Sequence, residues 1–223
     1  MKIADIILEN FSDLTSVNEA LEWIRQNKED YNNSLKMLRL KARKKFEYIA
    51  TGGTREIYGI DENYVLKVAI SEKYTNQNKS EVDSYFCGGD EFLAKIVAYD
   101  SNSFNWLIME RAGTNKKVLN NIVKNLFNIP DTKEEPLKWF SEHLSSINFF
   151  DWQVLLNFVK PENKNWLTGF LEELYKCTSW IDLIEDNIGY RLKDNNIIII
   201  DYGDRTSETS IDVQTLKKNF SKI

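Results

Sequence analysis

Three short stretches concentrate the residues able to do chemistry. In "TGGTREIYG", residues 51–59, the pair Gly52-Gly53 stands between two predicted strands, followed by Thr54 and Arg55. Without side chains in the way, backbone amides there can approach a phosphate, although a Gly-Gly hairpin turn explains the same residues. Eight residues after Gly59, Lys67 interrupts the apolar run "YVLKVAI". A lysine in such a strand is usually an edge or solvent-face residue, although Glu81 on the following polar stretch could pair with it. The third stretch is "DLIEDNIGYRLKDNNIIIIDYGD", residues 182–204, where acidic side chains crowd both ends of a run of isoleucines. Asp182 and Asn187 precede a predicted hairpin, and Asp201 directly follows its second strand.

The elements that must position these residues follow from periodicity. Ser16-Val-Asn-Glu19 has the Ser-x-x-Glu pattern of a capping box, and Leu21, Ile24, Leu35 and Leu38 follow with no glycine or proline before Gly52, which predicts a mostly helical segment over residues 1–45. From Phe46 the texture changes to "FEYIAT", "EIYGI", "YVLKVAI", "LAKIVAYD" and "NWLIME", five strands of an antiparallel sheet. The polar stretch 71–86 between the third and fourth strands predicts a helix. After Asn115 helical patterns return, with Trp166, Leu167, Phe170, Leu171 and Leu174 on one face, and the hairpin "IGYRL"–"IIII" turns through "KDNN".

Composition excludes several classes. The chain has 223 residues, 42% hydrophobic and 28% charged, with a net charge of −5, the balance of an ordinary soluble domain. No apolar run approaches the roughly 20 residues of a membrane helix, and the N-terminus has no cleavage-site pattern, so no membrane partner is expected and the expected location is cytoplasmic. Cys87, Cys177 and the single histidine, His143, lack metal-ligand spacing. The negative charge argues against nucleic acid as a partner, despite the basic cluster "KARKKF" at 41–46.

In this order, the glycine pair, strand Lys67, helix Glu81, the Asp182-x-x-x-x-Asn187 loop and the Asp201-Tyr202-Gly203 triplet resemble the protein-kinase-like superfamily over residues 46–204. The resemblance implies an α+β, bilobal protein-kinase-like fold. A helical extension (1–45) would precede an N-lobe (46–112) with a five-stranded antiparallel sheet and one helix, then a reduced, mostly helical C-lobe (113–223). It also implies roles. Gly52, Gly53, Thr54 and Arg55 would lie over ATP, with Lys67 on its α and β phosphates and Glu81 holding Lys67. Met109, Glu110 and Ala112 would meet the adenine from the connector between lobes, Asn187 and Asp201 would bind magnesium, and Asp182 would take or orient the acceptor's proton.

The implied activity is ATP- and Mg-dependent phosphoryl transfer, with serine or threonine of a protein as acceptor. The alternatives are a small-molecule kinase or nucleotidyl transferase on the same fold, or an inactive nucleotide-binding pseudokinase acting through protein interaction. Trp180-Ile181 replaces the usual His-Arg before Asp182, Tyr202 replaces the usual Phe, and 20 residues follow Gly203. The layout is therefore similar to small phage-encoded or bacterial kinase-like proteins that lack the distal C-lobe, and control by phosphorylation after Gly203 is not expected.

Overall fold

A computed structural model describes residues 5–6, 14–28, 34–86, 91–129, 134–145, 149–177 and 183–202, with 5–6, 149–152 and 175–177 described as backbone only. Two helices precede the main strands, α1 (Thr15–Gln26) and α2 (Leu35–Lys45). The five expected strands all form: β2 (Glu47–Thr51), β3 (Arg55–Gly59), β4 (Tyr64–Ala69), β5 (Ile96–Tyr99) and β6 (Trp106–Glu110). A two-residue strand, β1 (Asp5–Ile6), adds to the edge beside β5, giving the order β1-β5-β6-β4-β3-β2 with every pairing antiparallel. Helix α3 (Thr75–Phe86) lies between β4 and β5 in sequence.

The sheet is covered on both faces, which explains why β4 is buried along its whole length. Tyr64, Leu66 and Val68 of β4, with Trp106 and Ile108 of β6, pack with Val17, Leu21 and Ile24 of α1 and Leu38 and Ala42 of α2. Val65, Leu107 and Met109, on the alternate positions, join Val82 of α3 and the larger C-terminal core. A strand buried on both faces reads as a continuous apolar run rather than an alternating one. Lys67 sits on this central strand, so it is not an edge lysine.

The second core is built by α4 (Lys116–Leu126), α5 (Pro136–Ser145), α6 (Phe149–Phe158) and α7 (Lys164–Cys177). Leu167, Phe170, Leu171 and Leu174 are buried at the helical spacing expected, and Asn115 caps α4 by accepting from the Lys117 and Val118 amides at 3.0 and 3.3 Å. Among the described residues no helix is long and apolar enough to cross a membrane. A small sheet follows, β7 (Ala112–Gly113), β8 (Ile188–Arg191) and β9 (Ile197–Ile199), in that order. Asn195 takes a φ of 58° in the hairpin turn, a left-handed conformation that asparagine tolerates well. Strand β9 is tied to the first lobe where the Ile199 amide donates to Phe92 O at 2.8 Å and the Ala94 amide to Ile199 O at 2.9 Å.

One local expectation fails. Helix α1 begins at Thr15 after Leu14, with no side-chain cap, and the Ser16 hydroxyl donates to the Asp61 carboxylate instead. Ser16 thus joins the helix to the β3–β4 turn rather than closing a capping box. A long-range acceptor won over the local amide.

A buried carboxylate anchors α2. Glu56, 2% exposed, accepts from Arg39 Nη1 at 2.6 Å, from Arg43 Nε and Nη2 at 3.0 and 2.9 Å, and from the Tyr58 hydroxyl. Burial pushes its carboxyl up, but hydrogen bonds from Arg43, Tyr58 and Arg39 outweigh this and hold it below the ordinary value. A carboxyl depressed in the folded state stabilises the fold above its unfolded pKa and ceases to do so as pH falls through its folded one. The melting temperature should therefore drop between about pH 5 and about pH 3 by more in the parent than in Glu56→Gln. Glu56→Ala should cost about 3 kcal/mol in urea unfolding, the low end for a broken buried pair, because Arg39 and Arg43 can regain water. A parent and a Glu56→Gln variant that lose stability in parallel on acidification would refute this role.

Candidate active site

Strand alternation brings the first charged pair together. Lys67 follows Val65 on the face of β4 turned toward α3, and Ile57 of β3 is its cross-strand neighbour. Lys67 is 4% exposed and Glu81 is 0% exposed. The Lys67 ammonium donates to Glu81 Oε1 at 2.9 Å and to the Ile200 carbonyl at 2.7 Å. Burial pushes its pKa down, the Glu81 carboxylate opposes that, and nearby Arg55 adds to the depression. The helix glutamate and the strand lysine are the pair expected from sequence.

Arg55 lies two residues before Ile57, hence on the same face of β3. Its side chain is buried, not spread over an open turn: Nη1 lies 2.7 Å from Glu81 Oε2 and Nη2 lies 2.6 Å from Asp201 Oδ1. The Glu81 contact is a charge contact without hydrogen-bond alignment. Arg55, expected over a nucleotide, thus has its side chain in a bridge between two carboxylates, because a guanidinium carried inward by strand alternation must find anions. Asp201, 35% exposed at its side chain, is raised by burial but held low by Lys67 and Arg55. Gln77 of α3 joins the group, its amide 3.5 Å from Asp201 Oδ1 and its carbonyl accepting from the Thr54 hydroxyl.

Around these charges lies a cavity of about 250 Å³. Ile49, Ile57, Val65 and Met109 are among its apolar lining residues, and Lys67, Asn187 and Asp201 among its polar ones. Met109, Glu110, Arg111 and Ala112 of the connector also line it. The Glu110 carboxylate is taken by Arg191 of β8 at 2.9 and 3.2 Å, and its backbone amide donates to the Lys95 carbonyl at 2.8 Å. Asn187 ends a 3-10 turn, Glu185–Asn187, and its carbonyl accepts from the Ile200 amide at 2.9 Å. Asp182 and Gly203 lie outside the described residues. Asp186 lines both this cavity and an adjoining cleft of about 320 Å³ that includes Lys116, Ser141, Glu142 and Glu185.

The glycine turn is open. Neither Gly52 nor Gly53 takes a left-handed φ, and a Cβ at Gly53 would meet nothing within 4 Å. The turn itself therefore does not demand glycine there, whereas a ligand approaching the backbone would. For magnesium, the donor chemistry of Asp201 and Asn187 fits an ion shared with phosphates. Among the described residues no group of three or more His, Cys, Asp or Glu could hold a metal alone, and magnesium usually takes one or two carboxylates plus phosphate and water.

The sequence reading missed the bridge made by Arg55, the link through Gln77 and the clamp of Arg191 on Glu110. Only Arg55 left a signal: it shares the inward parity of Ile57.

No protein-family model matches the chain, and no curated protein does. Among solved structures, the chain is similar to an ADP-bound aminoglycoside phosphotransferase, APH(2'')-Ib, at 17% identity over 74% of this chain and 70% of that one, with a TM-score of 0.33. It is also similar to SAICAR synthase from Saccharomyces cerevisiae complexed with SAICAR, at 12% identity over 79% and 84%, TM-score 0.37. A third is the streptomycin–ATP–APH(2'')-IIa ternary complex, at 16% identity over 71% and 67%, TM-score 0.31. At these identities and scores the likeness assigns no activity or acceptor.

The charge cluster predicts unequal costs for its members. Glu81→Ala leaves Arg55 and Lys67 buried with Asp201 alone, and should destabilise by about 3–5 kcal/mol. Lys67→Met keeps Glu81 paired with Arg55 and fills the lysine's volume, so its cost should be clearly smaller. Urea unfolding of both variants checks the order, and equal losses would show that Arg55 does not hold Glu81.

Proposed function

We propose that this chain is an ATP- and magnesium-dependent phosphotransferase that moves the γ-phosphoryl group to a hydroxyl, with serine or threonine of a protein as the acceptor. The observation that carries the reading is the convergence of a buried Lys67–Glu81 pair, Asp201, Asn187 and the 109–112 connector on one cavity. Phosphoryl transfer asks a protein mainly for position and charge neutralisation, and these groups supply both.

In this reading the adenine lies against Ile49, Val65 and Met109, and Lys67, held by Glu81 and Ile200 O, meets the phosphates. The open Gly52-Gly53 turn lets backbone amides approach them. Asp201 and Asn187 hold magnesium, which neutralises phosphate charge when bound. Asp182 orients the acceptor hydroxyl, and the acceptor enters through the adjoining cleft that shares Asp186. One observation favours a second reading, nucleotide binding without transfer: Arg55 already holds the Asp201 carboxylate.

Mg-ATP should raise the melting temperature by mass action on the folded state, and Lys67→Ala should reduce the effect. No stabilisation at millimolar ATP, with or without magnesium, would end the nucleotide-site reading. Transfer is tested separately with γ-labelled and α-labelled ATP. Label entering protein from the γ position alone is expected, while α label would indicate nucleotidyl transfer. Asp182→Asn should keep Mg-ATP binding but lower transfer by on the order of 10²-fold, whereas Asp201→Asn should lose both. Unchanged transfer in Asp182→Asn would remove its catalytic role.

A further inference from the structure

Arg55 is the one cation of the cluster that the proposed chemistry does not use. Its guanidinium spans the two carboxylates, 2.7 Å from Glu81 and 2.6 Å from Asp201, and is itself almost wholly buried. With Lys67, it makes the four-group cluster neutral: two cations against two carboxylates. A guanidinium stays charged at any working pH, so this neutrality does not depend on a metal. The same Asp201 carboxylate is the acidic metal ligand of the reading above.

We propose that Arg55 and a divalent cation are alternative partners of Asp201: Arg55 is a positioning residue that holds this carboxylate in the cation-free protein and must yield it, at least in part, when a cation binds. The inference rests on the metal role assigned to Asp201 under Proposed function. Two physical consequences follow. Cation binding works against an existing contact, so the cation affinity of the chain alone is weakened. And because Arg55 opens β3 directly after Gly52-Gly53-Thr54, while Gln77 contacts both Thr54 and Asp201, loosening Arg55 from Asp201 also loosens an anchor of the glycine turn. Cation and turn are thereby coupled without any added segment.

Removing the guanidinium charge leaves Glu81 and Asp201 facing Lys67 alone, a local net charge of one negative unit, so the sign of the effect on cation affinity is determined. Manganese(II), added alone and then with a non-hydrolysable ATP analogue, is the probe, and electron paramagnetic resonance of the full chain reads the fraction bound. Arg55→Gln should bind manganese on the order of tenfold more tightly than the parent and, without metal, should melt at a lower temperature. The double variant Arg55→Gln with Asp201→Asn should lose the gain, which locates the effect at Asp201. Should Arg55→Gln fail to fold, Arg55→Lys replaces it: a lysine keeps the charge but not the two-ended fork, and a smaller gain of the same sign is expected. Equal or weaker manganese binding in the folded variant, while the parent binds the ion, would overturn this inference and leave the proposed function standing. If the parent binds no manganese even with the ATP analogue, the metal role of Asp201 fails and the inference fails with it.

Discussion

The carboxylate of Glu81 is the contact on which the rest of the site depends. It lies fully buried on α3, and a lone carboxylate there would be strongly disfavoured. Two cations delivered by neighbouring strands, Lys67 from β4 and Arg55 from β3, make its burial tolerable. The same two cations reach beyond it, to the Ile200 carbonyl and the Asp201 carboxylate. One buried anion thus sets the distance between the first lobe and the end of the β8–β9 hairpin. Helix α3 is polar along much of its length, and this charge requirement, added to the burial of Val82, seats it against the sheet.

Strand β3 carries the same logic to both faces of the sheet. Adjacent residues of a strand point to opposite sides, so Arg55 faces α3 and Asp201 while Glu56 faces α2. Each is met by opposite charge: Arg55 by Glu81 and Asp201, Glu56 by Arg39 and Arg43. The N-terminal helices are therefore joined to the sheet by an apolar core and by a charge lock, one residue away from the lock that assembles the cavity. Breaking one partner of such a buried pair leaves an uncompensated charge, so both locks resist separation of the elements they join.

The connector is held from the other side. Arg191 of β8 grips the Glu110 carboxylate and the Glu91 carbonyl, while β7 pairs with β8. At Gly113 the Tyr190 ring lies so close that a Cβ would sit 2.2 Å from it. A side chain at that position would have to displace the half-buried Tyr190 ring. Together with the β9 contacts to Phe92 and Ala94, these links hold Asn187 and Asp201 in the cavity that Lys67 also lines.

Much of this is legible in the amino-acid sequence. Periodicity alone located five strands, the intervening helix, the apolar face of α7 and the closing hairpin, because a strand or helix must bury every second or every third-to-fourth side chain wherever it packs. That Lys67, Glu81 and Asp201 would form one charged cluster followed only from the resemblance of their order to a known set of motifs, since a lysine in an apolar strand is by itself more often an edge or solvent-face residue. What periodicity could not reveal was partner choice across long separations. Ser16 carries a capping pattern, yet bonds to Asp61; Arg55 follows a glycine turn, yet turns inward to Glu81 and Asp201; Arg191 looks like an exposed hairpin residue, yet clamps Glu110. Local patterns reflect backbone geometry within a few residues. The pairing of buried charges depends on which elements the packed core brings within about 3 Å of each other, the reach of a charge-assisted hydrogen bond, and only the tertiary structure decides that.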